Sequence, residues 1–257
     1  MIKVAFFDVD GTLLSHHTRQ VCQSTRAAIR SLQEKGIACV VATGRHILQM
    51  DKLPMEGIDF DGYVTLNGQL VLDRARNTLY GVPIAGEGKN LAIRIFREKQ
   101  IPALLMEKDR IYLNFINEDV RVVQKAITSP MPDLGEYNGE DIYQICPYFF
   151  GETPEIIRKC YDHCVVTRWG GNGGVDIIAP GGGKVNGLKA WLEANGIARE
   201  ETIAFGDGEN DLDMVQFAGI GVAMGNAVPE VMEVADYVTA DIDDDGIAKA
   251  LKQLGLI

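Results

Sequence analysis

The sequence predicts an α/β protein, a parallel-sheet core interrupted by an inserted α+β domain. Three observations carry this. Near the start, the short apolar run "KVAFFD" is followed by Val21, Thr25, Ala28, Ile29 and Leu32 at helical spacing. The same texture returns after about residue 184, where "TIAFGDG", "IGVAMG" and "DYVTA" are separated by helical stretches. Between these regions, strand-like and helical pieces mix without strict alternation.

The elements follow in order. "KVAFFD" is a strand that delivers Asp8 and Asp10 to its C-terminal end, where Gly11 and Thr12 turn the chain. The helix after it ends at Gly36, a C-terminal cap. "IACVVATG" (37–44) is a second buried strand, and "YVTLNGQLVL" (63–72) is a hairpin. Its Asn67-Gly68 pair reads as a type I′ turn and nothing more. From about Val82 come "ALLMEK", "RIYLNFI", "DIYQICPYFF" and "CVVTRW", with helices near 88–99, 118–128 and 153–161. A glycine-rich run spans 170–184, then helices run from Lys184 to Asn195, from about 209, and near 245–254. The expected division is a core of 1–81 and 179–257 and an inserted domain of 82–178, with Pro83 and Pro180-Gly181 near the crossings.

At 257 residues there is room for one large domain or two smaller ones. A composition of 46% hydrophobic and 24% charged residues is ordinary globular usage and excludes a disordered chain. The formal net charge of −11 repels nucleic acid and anionic membranes, so neither is an expected partner. No stretch approaches the ~18 apolar residues of a membrane span. "MIKVAFFDVD" turns acidic after too short an apolar run for a signal peptide. Cys22, Cys39, Cys146, Cys160 and Cys164 form no CxxC pair and no zinc-type cluster. They read as reduced thiols, and the expected location is cytoplasmic.

Charges at the end of a buried strand are costly unless paired, solvated or bound to a cation. Alone, the stretch from Asp8 to Thr12 also fits a turn that is merely acidic. Ligands of open α/β sheets, however, bind outside the C-terminal strand ends. Three apolar runs end in polar residues: "AFFDVDGT", "VVATGR" and "IAFGDGEND". As adjacent parallel strands they would bring Asp8, Asp10, Thr43, Asp207, Asn210 and Asp211 to one edge. Asp8, Asp10 and Asp207 are hard oxygen donors suited to Mg²⁺, and Lys184 begins a helix after the glycine-rich run. These parts suit phosphoryl transfer: one carboxylate attacks phosphorus, another moves a proton, and a hydroxyl and an ammonium hold the oxygens.

"DVDGTLL", "ATGR", "GGGKVNGLKAW", "GDGENDLDM" and "GVAMGNAVPEVMEVADYVT" together resemble the haloacid dehalogenase (HAD) superfamily of phosphatases. The resemblance is to the Cof-like branch, whose Rossmann-like core carries an αβ cap between its second and third motifs. It implies that Asp8 is the nucleophile that forms an aspartyl-phosphate, and a metal ligand. Asp10 would protonate the leaving oxygen, then serve as base for water, and ligate the metal through its backbone carbonyl. Thr43 and Lys184 would hold the phosphate, with Asn210 a further polar contact and Gly44 supporting the strand end. Asp207 would be a metal ligand and Asp211 a supporting carboxylate near Lys184.

The implied activity is Mg²⁺-dependent hydrolysis of small-metabolite phosphomonoesters, sugar phosphates foremost, by a monomer or weak homodimer, with specificity in the inserted domain. A phosphotransferase or phosphomutase would share the same intermediate. A non-catalytic receiver-type phospho-acceptor switch also uses acidic residues, a Thr and a Lys, but is shorter and places its aspartate on a later strand. Other polar residues read as structural. Glu209, His16 and His17 are expected in solvent, Arg45 on the surface at a helix start, and Arg168 and Trp169 in packing. "DIDDDG" (241–246) is an acidic helix start.

Overall fold

The computed structural model describes residues 1–127, 129–169 and 173–257. Thr128, the expected end of one helix, and the first three residues of the glycine-rich run lie outside them. The strands, in chain order, are β1 (Val4–Phe7), β2 (Ala38–Ala42), β3 (Gly62–Thr65), β4 (Leu70–Asp73), β5 (Thr78–Gly81), β6 (Ala103–Met106), β7 (Ile111–Leu113), β8 (Gln144–Pro147), β9 (Val165–Arg168), β10 (Val175–Ile178), β11 (Thr202–Gly206), β12 (Ile220–Ala223) and β13 (Tyr237–Val238). Two compact units result. The first comprises Met1–Gly44, Leu53–Tyr80 and Gly183–Ile257; the second comprises Arg45–Lys52 and Gly81–Gly182.

In the first unit, the described residues form one sheet in the order β13-β12-β11-β1-β2-β3-β4-β5. From β13 to β3 all pairs are parallel, and β3–β4 is an antiparallel hairpin. All four residues of β1 are fully buried, as a central parallel strand covered on both faces requires. On one face Val4 and Phe6 join Leu188, Trp191 and Met214, and Phe6 meets Trp191 edge-on at 5.8 Å. On the other, Phe7 stacks on Phe205 at 5.2 Å. Each such ring removes enough apolar surface from water to contribute about 1.5–3 kcal/mol. The helix Gln23–Glu34 buries Thr25, Ala28, Ile29 and Leu32, three and four residues apart, and contacts β2 and the helix Gly246–Gln253.

Topology fixes where the chemistry goes. From β1 the chain winds outward through β2 and β3; later it returns to β11 on the other side of β1 and winds outward through β12. The β1/β11 boundary is therefore the switch point, where a crevice opens beyond the strand ends. Asp8 directly follows β1, and its N–H continues the ladder to the Phe205 carbonyl at 3.0 Å. Asp207 directly follows β11.

In the second unit the described residues form an antiparallel sheet in the order β7-β6-β8-β10-β9. Leu91, Ile95 and Phe96 of the helix Gly86–Glu98 and Ile157 of the helix Glu155–Cys160 share a core with Leu105, Ile145, Val175 and Ile177 of the sheet. The short helix Ile47–Met50 is capped by His46, whose Nδ1 accepts from the Leu48 N–H at 3.1 Å. Nε2 of the same ring then donates to the Glu107 carbonyl at 2.9 Å. Burial holds the imidazole below its usual pKa, so it stays neutral in that tautomer.

The structure departs from the local expectations at four places. The loop between β3 and β4 spans four residues, Leu66 to Gln69, with Leu66, Asn67 and Gly68 all at positive φ; it is not a two-residue type I′ turn. The glycine-rich run contains β10, whose "VDII" pairs with strands on both sides. The helix expected from about 209 begins as a 3₁₀ turn, Glu209–Asp211, and becomes α-helical at Leu212–Phe217. Arg45 is buried rather than on the surface.

Candidate active site

Asp8, Lys184 and Asp211 form the centre of the site, and all three are buried. The Lys184 ammonium donates to Oδ1 of Asp8 at 2.5 Å and to Oδ1 of Asp211 at 2.6 Å. Its fully inaccessible side chain starts the helix Lys184–Asn195. Burial alone would lower the pKa of this amine; Asp211 and Asp8 outweigh it and hold the group well above the usual lysine range. Asp211 spends its other oxygen, Oδ2, on the backbone N–H groups of Asp207 and Gly208, both at 3.0 Å. It therefore anchors the ammonium and shapes the turn after β11 at once.

Asp207 completes the cluster. Oxygens of Asp8, Asp207 and Asp211 lie within 4.8 Å of one another. Three carboxylates face one ammonium, so negative charge is in excess in a buried place. Burial, then Asp211, raises the Asp207 carboxyl to about 7. Burial and Asp211 also raise that of Asp8. A divalent cation fits this donor set: hard oxygens, excess negative charge and half-exposed Asp207 at the rim. Asp10 is half-buried in the turn, and its carboxylate is not a member of the cluster.

Thr43 follows β2 and is buried; its N–H donates to the Val64 carbonyl at 2.8 Å and its carbonyl accepts from the Asn67 N–H at 3.0 Å. Asn210 donates from Nδ2 to Oδ1 of Asn67 at 3.2 Å. A Cβ at Gly44 would lie 3.0 Å from the Asn67 amide. Glu209, His16 and His17 are exposed, as expected. Trp169 donates from Nε1 to Asp176 at 2.9 Å and Arg168 donates to the Gly151 carbonyl at 2.6 Å, both contacts within the second unit.

Three residues read only as turn formers have partners in this site. Thr12 is fully buried and donates from Oγ1 to Oδ1 of Asp207 at 2.8 Å. Gly11 has φ +94° and lies so close that an added Cβ would sit 2.1 Å from Oδ2 of Asp207. Its carbonyl accepts from Nδ2 of Asn226 at 2.8 Å. The third is Asn67. Nothing in the local sequence separates these residues from ordinary turns, because their partners lie 143 to 215 positions away. Gly11→Ala is expected to push Asp207 aside and lower kcat/KM by about 10²-fold, a loss that a displacement near 1 Å can cause. Steady-state assay against the unchanged far-UV spectrum of the folded protein checks this.

The family model of haloacid dehalogenase-like hydrolases matches residues 5–251. YkrA of Bacillus subtilis (strain 168) is 33% identical over 260 residues, spanning 99% of this chain and 98% of its own length. Among solved structures, the HAD phosphatase BT1666 from Bacteroides thetaiotaomicron is 32% identical with a TM-score of 0.87, covering 100% of this chain and 96% of that one. The subclass IIB sugar phosphatase BT4131 is 31% identical with a TM-score of 0.85, covering 99% and 100%. Among the described residues no helix is long and apolar enough to cross a membrane. The chain belongs to the haloacid dehalogenase-like hydrolases, in their Cof-like branch, and is a phosphoric monoester hydrolase.

Proposed function

We propose that the protein is a Mg²⁺-dependent phosphatase of small phosphorylated metabolites, sugar phosphates foremost, working through an aspartyl-phosphate on Asp8. The observation that carries this is the buried Lys184 ammonium held between Asp8 and Asp211 at the β1/β11 switch point, with Asp207 beside them. Asp8, Asp207 and the backbone carbonyl of Asp10 would hold Mg²⁺, which when bound neutralises charge on the phosphate ester.

In this reading a carboxylate oxygen of Asp8 attacks phosphorus and the bond to the leaving oxygen breaks. Asp10 gives its proton to that oxygen. Asp10 then takes a proton from water, whose oxygen attacks the same phosphorus, and the bond to Asp8 breaks with release of phosphate. Lys184, Thr43 and Asn210 hold the phosphoryl oxygens throughout, and Asp211 keeps Lys184 in place. The sugar-phosphate class draws support from BT4131, a sugar phosphatase.

A phosphate-release screen over a panel of metabolite phosphates, with Mg²⁺ and with excess chelator, tests the proposal. Sugar phosphates are expected to be hydrolysed, and chelation to remove nearly all activity. Transfer of the phosphoryl group to a second sugar without free phosphate would assign a phosphotransferase instead. Residues 82–178 are proposed as the specificity domain, because the core residues named above concern only the phosphoryl group. Exchange of that segment for its counterpart in BT4131 is expected to reorder kcat/KM across the panel. An unchanged ranking would place specificity in the core.

A further inference from the structure

We infer that Asn67 is a positioning residue of the phosphate pocket, setting Asn210 and the Thr43–Gly44 strand end at a fixed separation. The inference rests on the proposed phosphate-holding roles of Thr43, Lys184 and Asn210. Four observations converge on it. Asn67 is buried, although it lies in a loop between two strands. Its N–H donates to the Thr43 carbonyl at 3.0 Å, and its Oδ1 accepts from Asn210 at 3.2 Å. Its amide also lies against Gly44, where even a methyl group would be crowded. One residue thus joins the ends of two motifs that lie more than 140 positions apart.

The loop that carries Asn67 is wedged against a third element. A Cβ on Gly68, at φ +87°, would come 2.2 Å from the Gly183 carbonyl, next to Lys184. A Cβ on Gly187, one turn into the same helix, would come 2.9 Å from the Gly68 Cα. Leu66 and Asn67 both hold left-handed backbone, at φ 54° and 51°. That conformation is unfavourable for a residue with a γ-branched apolar side chain such as Leu, and is tolerated better by Asn. Strained backbone of this kind persists only where its surroundings impose it, and it gathers at functional sites. Here the surroundings are the three elements that carry Thr43, Lys184 and Asn210.

Backbone and side-chain roles separate by substitution. Asn67→Gly keeps a residue at ease in left-handed backbone and deletes the amide, whereas Asn67→Ala deletes the amide and strains the backbone. With p-nitrophenyl phosphate as substrate, both are expected to lower kcat/KM about tenfold, the value of one hydrogen bond, chiefly through KM. Inhibition by inorganic phosphate weakens in parallel, and only the alanine variant melts earlier. The Asn67 amide bonds Asn210, and the backbone bond to Thr43 survives in the glycine variant, so Asn67→Gly/Asn210→Ala should cost much less than the product of the single losses. Wild-type kinetics and phosphate inhibition for Asn67→Gly would overturn the inference, as would losses that multiply in the double variant. The covalent reading is tested separately by Asp8→Asn, so the two fail independently.

Discussion

Asp8→Asn is expected to release no measurable phosphate, a loss on the order of 10⁴-fold or more, while remaining folded. The substitution keeps the shape of the side chain and an acceptor oxygen for Lys184, but removes the proposed nucleophile. Its effect on stability has a definite sign. Burial and Asp211 already press the Asp8 carboxyl toward its neutral form, so a neutral amide relieves repulsion in the metal-free protein. Lys184 keeps Asp211 at 2.6 Å as its counter-charge. The variant should therefore melt no earlier than the parent in chelator, and gain less than the parent when Mg²⁺ is added. Melting curves with and without Mg²⁺, beside a phosphate-release assay, measure both. Appreciable turnover by the folded variant would remove Asp8 from the mechanism.

Lys184→Met is the second large effect, on stability as well as rate. The ammonium is the partner of Asp8 and Asp211 in a fully buried position. Breaking a buried ion pair from one side leaves its partner uncompensated and costs about 3–5 kcal/mol. Here two carboxylates lose that partner, so the first unit should melt markedly earlier, with partial rescue by Mg²⁺. Activity falls with it, because the phosphoryl oxygens lose their ammonium. If Asp211 acts on the rate by holding Lys184, as proposed, Lys184→Met/Asp211→Asn should be far less damaging than the product of the single losses. Rate losses that multiply cleanly would show that the two residues act independently.

The parts of the site legible in the sequence are those written in local pattern. A fully apolar run ending in two aspartates reads as a buried strand with a charged C-terminal end, and β1 with Asp8 is that element. "TIAFGDG" reads in the same way and gives β11 with Asp207. Lys184 stands out as a basic residue at a helix start.

Residues defined by partners far along the chain were hidden. Thr12 looks like a turn residue until β11 is set beside β1 and brings Asp207 to it. Asn-Gly is so strong a hairpin signal that it masks the second use of Asn67, which depends on Asn210. Arg45 follows a glycine and precedes a helix, a usual surface setting; its burial follows from tertiary packing with no local signature. The strand β10 was obscured by the glycines around it, although its pairing with β8 and β9 is regular.

The most direct test is to find the phosphoryl group on Asp8 during turnover. Asp10→Asn removes the proposed base for water, a contribution of about 10²–10⁴-fold, whereas p-nitrophenolate leaves without needing a proton. The Asp10→Asn protein mixed with p-nitrophenyl phosphate and Mg²⁺ should therefore accumulate the intermediate. Acid quenching followed by mass spectrometry should then show the mass of one phosphoryl group on the peptide containing Asp8, and none in the Asp8→Asn/Asp10→Asn protein. An unmodified Asp8 peptide while p-nitrophenolate is still being formed, or a phosphoryl group on another residue, would contradict the account.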